Sequence, residues 1–272
     1  GLRKYNARER ADNFTTAQFQ TLLNEAGKNS IKVYLTLNTV IRNDELPELL
    51  DTLYMLSQTS ISAVIIQDWG VYDMIRHHFP KLKVHASTQM GNHNSLGAVY
   101  SDKLGFERVI FARELTQKEI AAIRNKSNTQ VEMFVHGALC YSFSGMCLFS
   151  SYLGGMSANR GRCMQPCRRM YEDTGEKKYL FSLKDHELID HVPEILRLGI
   201  SSLKIEGRLK PAEYVYRVAR AYRIAIDHPQ KIAEAKELLK YDMGRTKTSY
   251  FFGGDISQAI TENPSTGIFL GR

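Results

Sequence analysis

The stretch "AVIIQDWGVYDMIRHHFPKLKVHASTQ", residues 63–89, contains one complete strand–helix–strand unit. Its β-branched run at residues 63–68 predicts a buried strand, the apolar spacing at 71–78 predicts a helix, and residues 83–88 predict a second strand. Two strands joined by a crossover helix form a parallel pair, so this unit places the chain in the α/β class.

The same unit recurs along the chain. Further strands are predicted at residues 32–38, 108–114, 131–137 and 202–208, and further helices at 15–26, 44–57, 92–104, 116–123, 184–198 and 211–227. The predicted strands end in, or are followed at once by, polar or ionisable residues, as the carboxyl ends that form the mouth of a (β/α)₈ barrel require. No G-x-G-x-x-G turn follows any strand, which disfavours a dinucleotide-binding open sheet. We therefore predict an α/β fold that is TIM-barrel-like, (β/α)₈.

Six strands are too few to close an eight-stranded barrel, so we expect it to be incomplete at the N-terminus. The expected gap lies between the strand at 32–38 and the strand that ends at Glu206, with residues 1–5 beside it. A miscounted strand would lie at 178–183. The predicted core spans residues 1–228 and includes a cysteine-containing insertion at 138–171. Residues 229–272 are expected to form a C-terminal helix and the start of a truncated C-terminal extension.

Charge and hydropathy indicate what kind of partner and which compartment to expect. The chain carries 36 Lys and Arg against 29 Asp and Glu, a net charge of +7, which is compatible with a polyanionic partner such as RNA. No apolar run is long enough for a membrane span, and the first residues contain no apolar leader, so we expect a cytoplasmic protein.

All four cysteines lie in one short window with the spacing C-x₆-C-x₁₅-C-x₃-C: Cys140, Cys147, Cys163 and Cys167. A chain of this size does not need disulfides for stability, so the clustering favours a metal site. Zinc ribbons use two close pairs, and only the last two cysteines form one, so a [4Fe–4S] cluster is favoured and zinc is the alternative. Residues 133–171 contain no Asp or Glu, which suits a site of negative charge.

The segments "FVHGALCYSFSGMCLFS", "NRGRCMQPCRRMY" and "SLKIEGR" closely resemble the signature of the peptidase U32 family, the collagenase-like proteases. The resemblance implies a barrel similar to a TIM barrel and an iron–sulfur enzyme that hydroxylates an RNA base, in tRNA or 23S rRNA, without molecular oxygen. It further implies prephenate as the oxygen source. Hydroxylation of a ubiquinone precursor is an alternative that the basic charge disfavours.

Two further alternatives remain open. A metal-dependent peptidase would agree with the family's name, but the sequence has neither an H-E-x-x-H nor a G-x-S-x-G motif. An RNA-binding module with a structural zinc would need no catalytic group at all.

Candidate catalytic residues come from the strand ends. Alternation places His85 and Gln89 on one face of their strand and Lys204 and Glu206 on one face of another, where they would line the barrel interior. His136, four residues before Cys140, is a candidate proton donor or a residue that orients the cysteine loop. The candidate substrate-binding groups are arginines, which pair bidentately with carboxylates and phosphates: Arg113, Arg160, Arg162 and Arg208.

Overall fold

A computed structural model describes residues 1–9, 11–144, 146–207, 209–242, 244–255 and 259–261. Five consecutive strands pair in parallel in the order β1-β2-β3-β4-β5. Helices alternate with these strands along the chain, so the predicted TIM-barrel-like α/β fold is confirmed. The strands are β1 Tyr34–Leu37, β2 Ala63–Ile66, β3 Val84–Ala86, β4 Arg108–Ile110, β5 Gln130–Ala138, β6 Tyr171–Asp173, β7 Glu176–Lys178, β8 Asp185–Glu187, β9 Ser202–Ile205 and β10 Lys247–Thr248.

The helices cover one face of the sheet, and several begin at the polar caps that their sequences contain. Thr15 and Thr116 each form a capping box with the Gln or Glu three residues later, and Asp68 accepts hydrogen bonds from two backbone amides of the first turn of its helix. The helices are α1 Thr16–Lys28, α2 Leu46–Ser57, α3 Trp69–His78, α4 Ser95–Lys103, α5 Gln117–Arg124, α6 Phe149–Gly154, α7 Val192–Arg197, α8 Ala212–Asp227, α9 Ile232–Leu239 and α10 Tyr250–Gly253. None of the described helices is both long and apolar enough to span a membrane.

Alternate strand residues contribute to two separate apolar layers. The larger layer lies between the sheet and the helices and includes Leu37, Ile66 and Val135. The smaller one, made by Ile65, Ile110 and Phe134, lies on the other face, in the barrel interior. The few apolar residues inside leave the rest of the interior to polar side chains.

The sheet branches at β5, which the sequence did not predict. Residues 132–134 and 136 of β5 pair in parallel with β9. The last residues of β5, 136–138, pair antiparallel with β8. The helix predicted at 184–198 was therefore wrong in its first half: residues 185–187 form β8, and α7 begins at Val192. The cause is tertiary, because Asp185 accepts two hydrogen bonds from Arg245 and β10 pairs with β8. No described strand spans residues 178–183, since β7 ends at Lys178 and forms a hairpin with β6.

The sheet has an open seam where the sequence predicted one. Among the described strands, β1 pairs only with β2, and β9 pairs only with β5. The N-terminal segment lies at this seam: the Ala7 amide donates to Asn38, which follows β1, and the Arg8 guanidinium reaches Glu206, which follows β9. The segment therefore bridges the two strands that border the seam.

Candidate active site

The cysteine loop begins at the carboxyl end of β5 and returns to the sheet at β8. Gly137, near the end of β5, has a φ of +107°, and a Cβ there would lie 2.7 Å from the Glu206 carbonyl oxygen. Only glycine allows the β5 and β9 ends to approach so closely. This close approach brings the start of the cysteine loop next to the residue that follows β9.

The four thiols are free and act on one another electrostatically. Burial raises the pKa of the Cys167 thiol to about 11, and neighbouring Cys140, Cys147 and Cys163 contribute to the rise. Burial of the sulfur also raises the pKa of Cys140, where Arg113 acts in the opposite direction. The neighbouring sulfurs act on Cys167 because a thiolate next to it disfavours a second negative charge.

Arg168 fixes both ends of the cysteine loop. Its guanidinium donates to the Leu139 carbonyl at 2.6 Å and to the Leu183 carbonyl, and it also reaches the Ser182 hydroxyl. Leu139 directly precedes Cys140, and Arg168 directly follows Cys167. One half-buried side chain therefore ties the chain next to the first thiol to the chain next to the last.

An ion triad lies beside the thiols. Glu206 Oε2 is 3.0 Å from a guanidinium nitrogen of Arg8 and 3.0 Å from one of Arg113. Burial alone would raise the pKa of Glu206, but the two guanidiniums hold it below its usual value. The Arg113 guanidinium also lies 3.8 Å from the centre of the Phe134 ring. The two arginines carry one more positive charge than Glu206 neutralises, so the triad can accept a further anionic group.

Several buried polar atoms near the carboxyl ends have no hydrogen-bond partner among the described residues. They include Oε1 of Gln67, Oε1 of Gln89 and both ring nitrogens of His186. Burial and the field of Arg113 lower the pKa of His186 to about 3, so its ring is neutral at pH 7. Unsatisfied buried polar atoms are costly, and their presence at the barrel mouth is typical of a ligand site.

Two predicted catalytic residues lie instead at the amino end of the barrel. Lys204 Nζ is 2.6 Å from Glu132 Oε1, and Arg108 donates to Glu132 Oε2 at 3.3 Å. His85 lies in the same layer, with its ring 4.8 Å from the Tyr34 ring. Gln89 is not on the strand with His85 as predicted, because β3 ends at Ala86 and Gln89 lies in the following 3₁₀ turn.

His136 lies in a buried cluster with groups of α8 and of the segment around residue 242. Its Nε2 is 2.6 Å from Asp242 Oδ2, and its Nδ1 is 3.4 Å from the hydroxyl of Tyr222 on α8. Lys247 Nζ is 2.5 Å from the same Asp242 oxygen. The cluster attaches the segment around residue 242 to β5, and a direct proton-donor role for His136 stays a prediction.

The predicted substrate-binding arginines are mostly engaged within the protein. Arg160 pairs with Glu45, and Arg162 forms a two-bond pair with Glu9. Arg208 lies outside the described residues. Of the three that the structure describes, Arg113 is the one that pairs with Glu206 and acts on Cys140.

Some site residues were not found from the sequence. Glu132 had a usable signal, since it alternates with Phe134 on the inner face of β5. Arg8, Arg168 and His186 had none, because their roles depend on contacts between distant segments.

Residues 1–261 match the model of peptidase family U32. The chain is 38% identical, over 95% of its length, to a protein of Methanocaldococcus jannaschii named an uncharacterized protease. It is 32% identical over 93% of its length to tRNA hydroxylation protein P1 of Bacillus subtilis, and 34% identical over 91% to a 23S rRNA 5-hydroxycytidine synthase of Escherichia coli. The chain spans 68%, 65% and 38% of the lengths of these three relatives.

Proposed function

Because this chain belongs to peptidase family U32, we propose that it is an iron–sulfur enzyme that hydroxylates a base of tRNA or 23S rRNA without molecular oxygen. The observation that carries the proposal is the position of four free thiols beside the Arg8–Glu206–Arg113 triad at the carboxyl end of the barrel. The names of two relatives, a tRNA hydroxylation protein and an rRNA hydroxycytidine synthase, supply the substrate class. RNA as substrate also agrees with a cytoplasmic protein of net charge +7.

The donor set fits a [4Fe–4S] cluster held by Cys140, Cys147, Cys163 and Cys167. Tetrahedral zinc, with Zn–S bonds near 2.3 Å, holds its sulfurs about 3.8 Å apart. Zinc ribbons use two close pairs of cysteines, whereas this chain has one close pair, Cys163 and Cys167, with wide gaps before it, and this favours a cluster over a single zinc ion. When bound, such a cluster would supply one-electron redox chemistry at the barrel mouth.

Hydroxylation replaces a C–H bond of the base with a C–OH bond and removes two electrons from the base. Without molecular oxygen, the oxygen atom comes either from water, with a separate acceptor for the two electrons, or from a co-substrate that is itself reduced by two electrons as it gives up the oxygen. Prephenate is the co-substrate that the family resemblance implies, and its carboxylates match the surplus positive charge of Arg8 and Arg113. Neutral His186 and Gln89 would orient polar groups of the bound molecules.

A peptidase, as the family name states, is the alternative. Its geometric requirement is an activated nucleophile or a zinc-bound water. The three-donor group of His136, Glu187 and Asp242 is the arrangement closest to this among the described residues, but Lys247 Nζ already lies 2.5 Å from Asp242. The site geometry therefore favours the hydroxylase.

The test is expression of the full-length protein, grown anaerobically, in a bacterium that lacks its own family members. Mass spectrometry of nucleosides from tRNA and rRNA should show a nucleoside heavier by one oxygen. The variant Cys163→Ser should lose this product and most of the bound iron while it keeps its thermal unfolding temperature to within a few degrees.

Three other outcomes would overturn the proposal. Cleavage of denatured collagen that depends on His136 would indicate a peptidase. A hydroxylated quinone precursor with unmodified RNA would indicate the quinone branch. One equivalent of zinc in place of iron would indicate a structural metal in an RNA-binding module.

A further inference from the structure

The cysteine loop has an unusually apolar exposed surface. Nine of the twenty-two exposed large apolar side chains among the described residues lie within the thirty positions 141–170. We call them the loop patch: Tyr141, Phe143, Met146, Leu148, Tyr152, Leu153, Met156, Met164 and Met170. Apolar patches of this kind mark binding surfaces in soluble proteins.

Two aromatic members of the loop patch are held in place by other rings of the protein. Phe143 stacks on the His93 ring with 3.9 Å between centroids and an angle of 10°. The Tyr141 ring packs edge-on against Phe181 at 5.1 Å. Because these rings are already fixed, a planar ligand that stacks on them costs little conformational entropy. Tyr152, on α6, is 85% exposed and offers a third ring.

Members of the loop patch adjoin three of the thiols along the chain. Tyr141 follows Cys140, Met146 and Leu148 flank Cys147, and Met164 follows Cys163. A molecule that binds these members therefore lies next to the proposed reaction centre. A permanent protein partner there would close the site to substrate, whereas a bound substrate would be delivered to it.

The charge around the loop patch favours a polyanion. Residues 133–171 contain no carboxylate side chain. Arg169 is exposed, and its guanidinium forms no hydrogen bond or ion pair in the part of the chain that the structure describes. Exposed aromatic rings beside a cation form the type of surface that binds single-stranded nucleic acid, since every base can stack on a ring.

We propose that the loop patch is a stacking platform for unpaired nucleotides that flank the target base. This inference rests on the proposed function and adds the part of the RNA that is recognised: a single-stranded segment, such as a loop, rather than a duplex. A single strand exposes base faces to Tyr141, Phe143 and Tyr152, whereas a duplex keeps them stacked on one another.

The test compares two double variants of the full-length protein, purified anaerobically. Tyr141→Ala with Tyr152→Ala removes two rings of the loop patch. The matched control, Tyr54→Ala with Tyr100→Ala, removes two tyrosines of α2 and α4 that are 63% and 57% exposed. Fluorescence anisotropy measures binding of a labelled oligouridine and of an RNA duplex of the same length, and visible absorbance checks that the iron content is unchanged.

We expect the loop-patch variant to bind oligouridine about ten- to a hundredfold more weakly, because base stacking on an aromatic ring contributes about 1–3 kcal/mol per base. Duplex binding should change less than about twofold, since it depends on charge. The control variant should match the wild type with both probes.

Unchanged oligouridine affinity in the loop-patch variant would overturn the platform, and so would an equal loss for the duplex. A change of oligomeric state without a change of RNA affinity would assign the patch to a protein partner instead. These results would not contradict the proposed hydroxylase function itself. If the variant keeps its RNA affinity and cells still make the hydroxylated nucleoside, only the platform is wrong.

Discussion

The two ends of the barrel both contain buried charged groups, but they differ in how these groups are satisfied. At the amino end the charged groups are paired: Glu132 contacts both Lys204 and Arg108, and Arg108 also donates to Gln130, although Nδ1 of His85 is buried there without a hydrogen-bond partner among the described residues. At the carboxyl end, two arginines share one carboxylate, Gln89 Oε1 and the His186 ring lack partners among the described residues, and the neighbouring thiols add to the raised pKa of Cys167. We call the amino-end network closed because its charged groups are paired within the protein, and the carboxyl-end network open because some of its groups are not. A closed network stabilises the fold, while an open one costs stability and leaves groups available to a ligand.

The comparison explains why two charged residues of the same segment have different roles. Lys204 and Glu206 are two positions apart near the end of one strand, yet Lys204 belongs to the closed network and Glu206 to the open one. In barrel enzymes the carboxyl end carries the chemistry and the amino end the stability. We therefore expect substitutions at the two ends to separate stability from activity.

The largest expected effect on stability comes from Glu132→Gln. It leaves the buried Arg108 and the half-buried Lys204 without their shared carboxylate, and loss of one member of a buried ion pair costs about 3–5 kcal/mol. Urea unfolding of the two proteins at pH 7 measures the difference in free energy. The matched control is Glu107→Gln, whose side chain is 34% exposed and pairs with Lys83, and it should cost less than about 1 kcal/mol. Equal losses in the two variants would remove the distinction between buried and surface pairs at this end.

A smaller effect should appear as a pH dependence. Burial, with the nearby Arg108 charge, lowers the pKa of His85 to about 4, against about 6.5 for the unfolded chain. Between these values the unfolded chain binds more protons, so the contribution is complete above pH 6.5 and is lost as the pH falls towards 4. Glu107, Glu132 and Lys204 also act on His85, the two carboxylates opposing the shift.

The measurement is the free energy of unfolding of wild type and His85→Gln between pH 7 and pH 4. The wild type should lose up to about 3 kcal/mol more than the variant over this range. Parallel curves for the two proteins would show that His85 is not a buried neutral histidine in solution.

The smallest expected effect on stability, and the sharpest test of the comparison, is Gln89→Met at the carboxyl end. Because Gln89 Oε1 is buried without a partner, its replacement by an apolar side chain of similar size should leave the free energy of unfolding unchanged or raise it by up to about 1 kcal/mol. The yield of the modified nucleoside should nevertheless fall at least about tenfold. A destabilised variant with full activity would mean that Gln89 is structural and that the carboxyl end is not the active site.

Much of this protein could be predicted locally. The strand–helix unit at residues 63–89 is present as β2, α3 and β3, because β-branched runs and the Asp68 cap act over short distances. The cysteine spacing also predicts a shared metal site, which stays a prediction, since ligands in one loop can meet without help from the rest of the fold. The helix predicted at 184–198 failed in its first half because Asp185 is committed to Arg245, sixty residues away.

The sequence by itself thus determined the α/β class, the alternation of the first five strands with helices and the grouping of the cysteines in one loop, all of which depend on periodicity and spacing along the chain. Only the tertiary structure decided which polar residues are partners: Lys204 with Glu132, His136 with Asp242, and Glu206 with both Arg8 and Arg113. The physical reason is that burial and pairing, rather than residue type, set the cost of a charge. Both depend on segments that meet only when the barrel has folded.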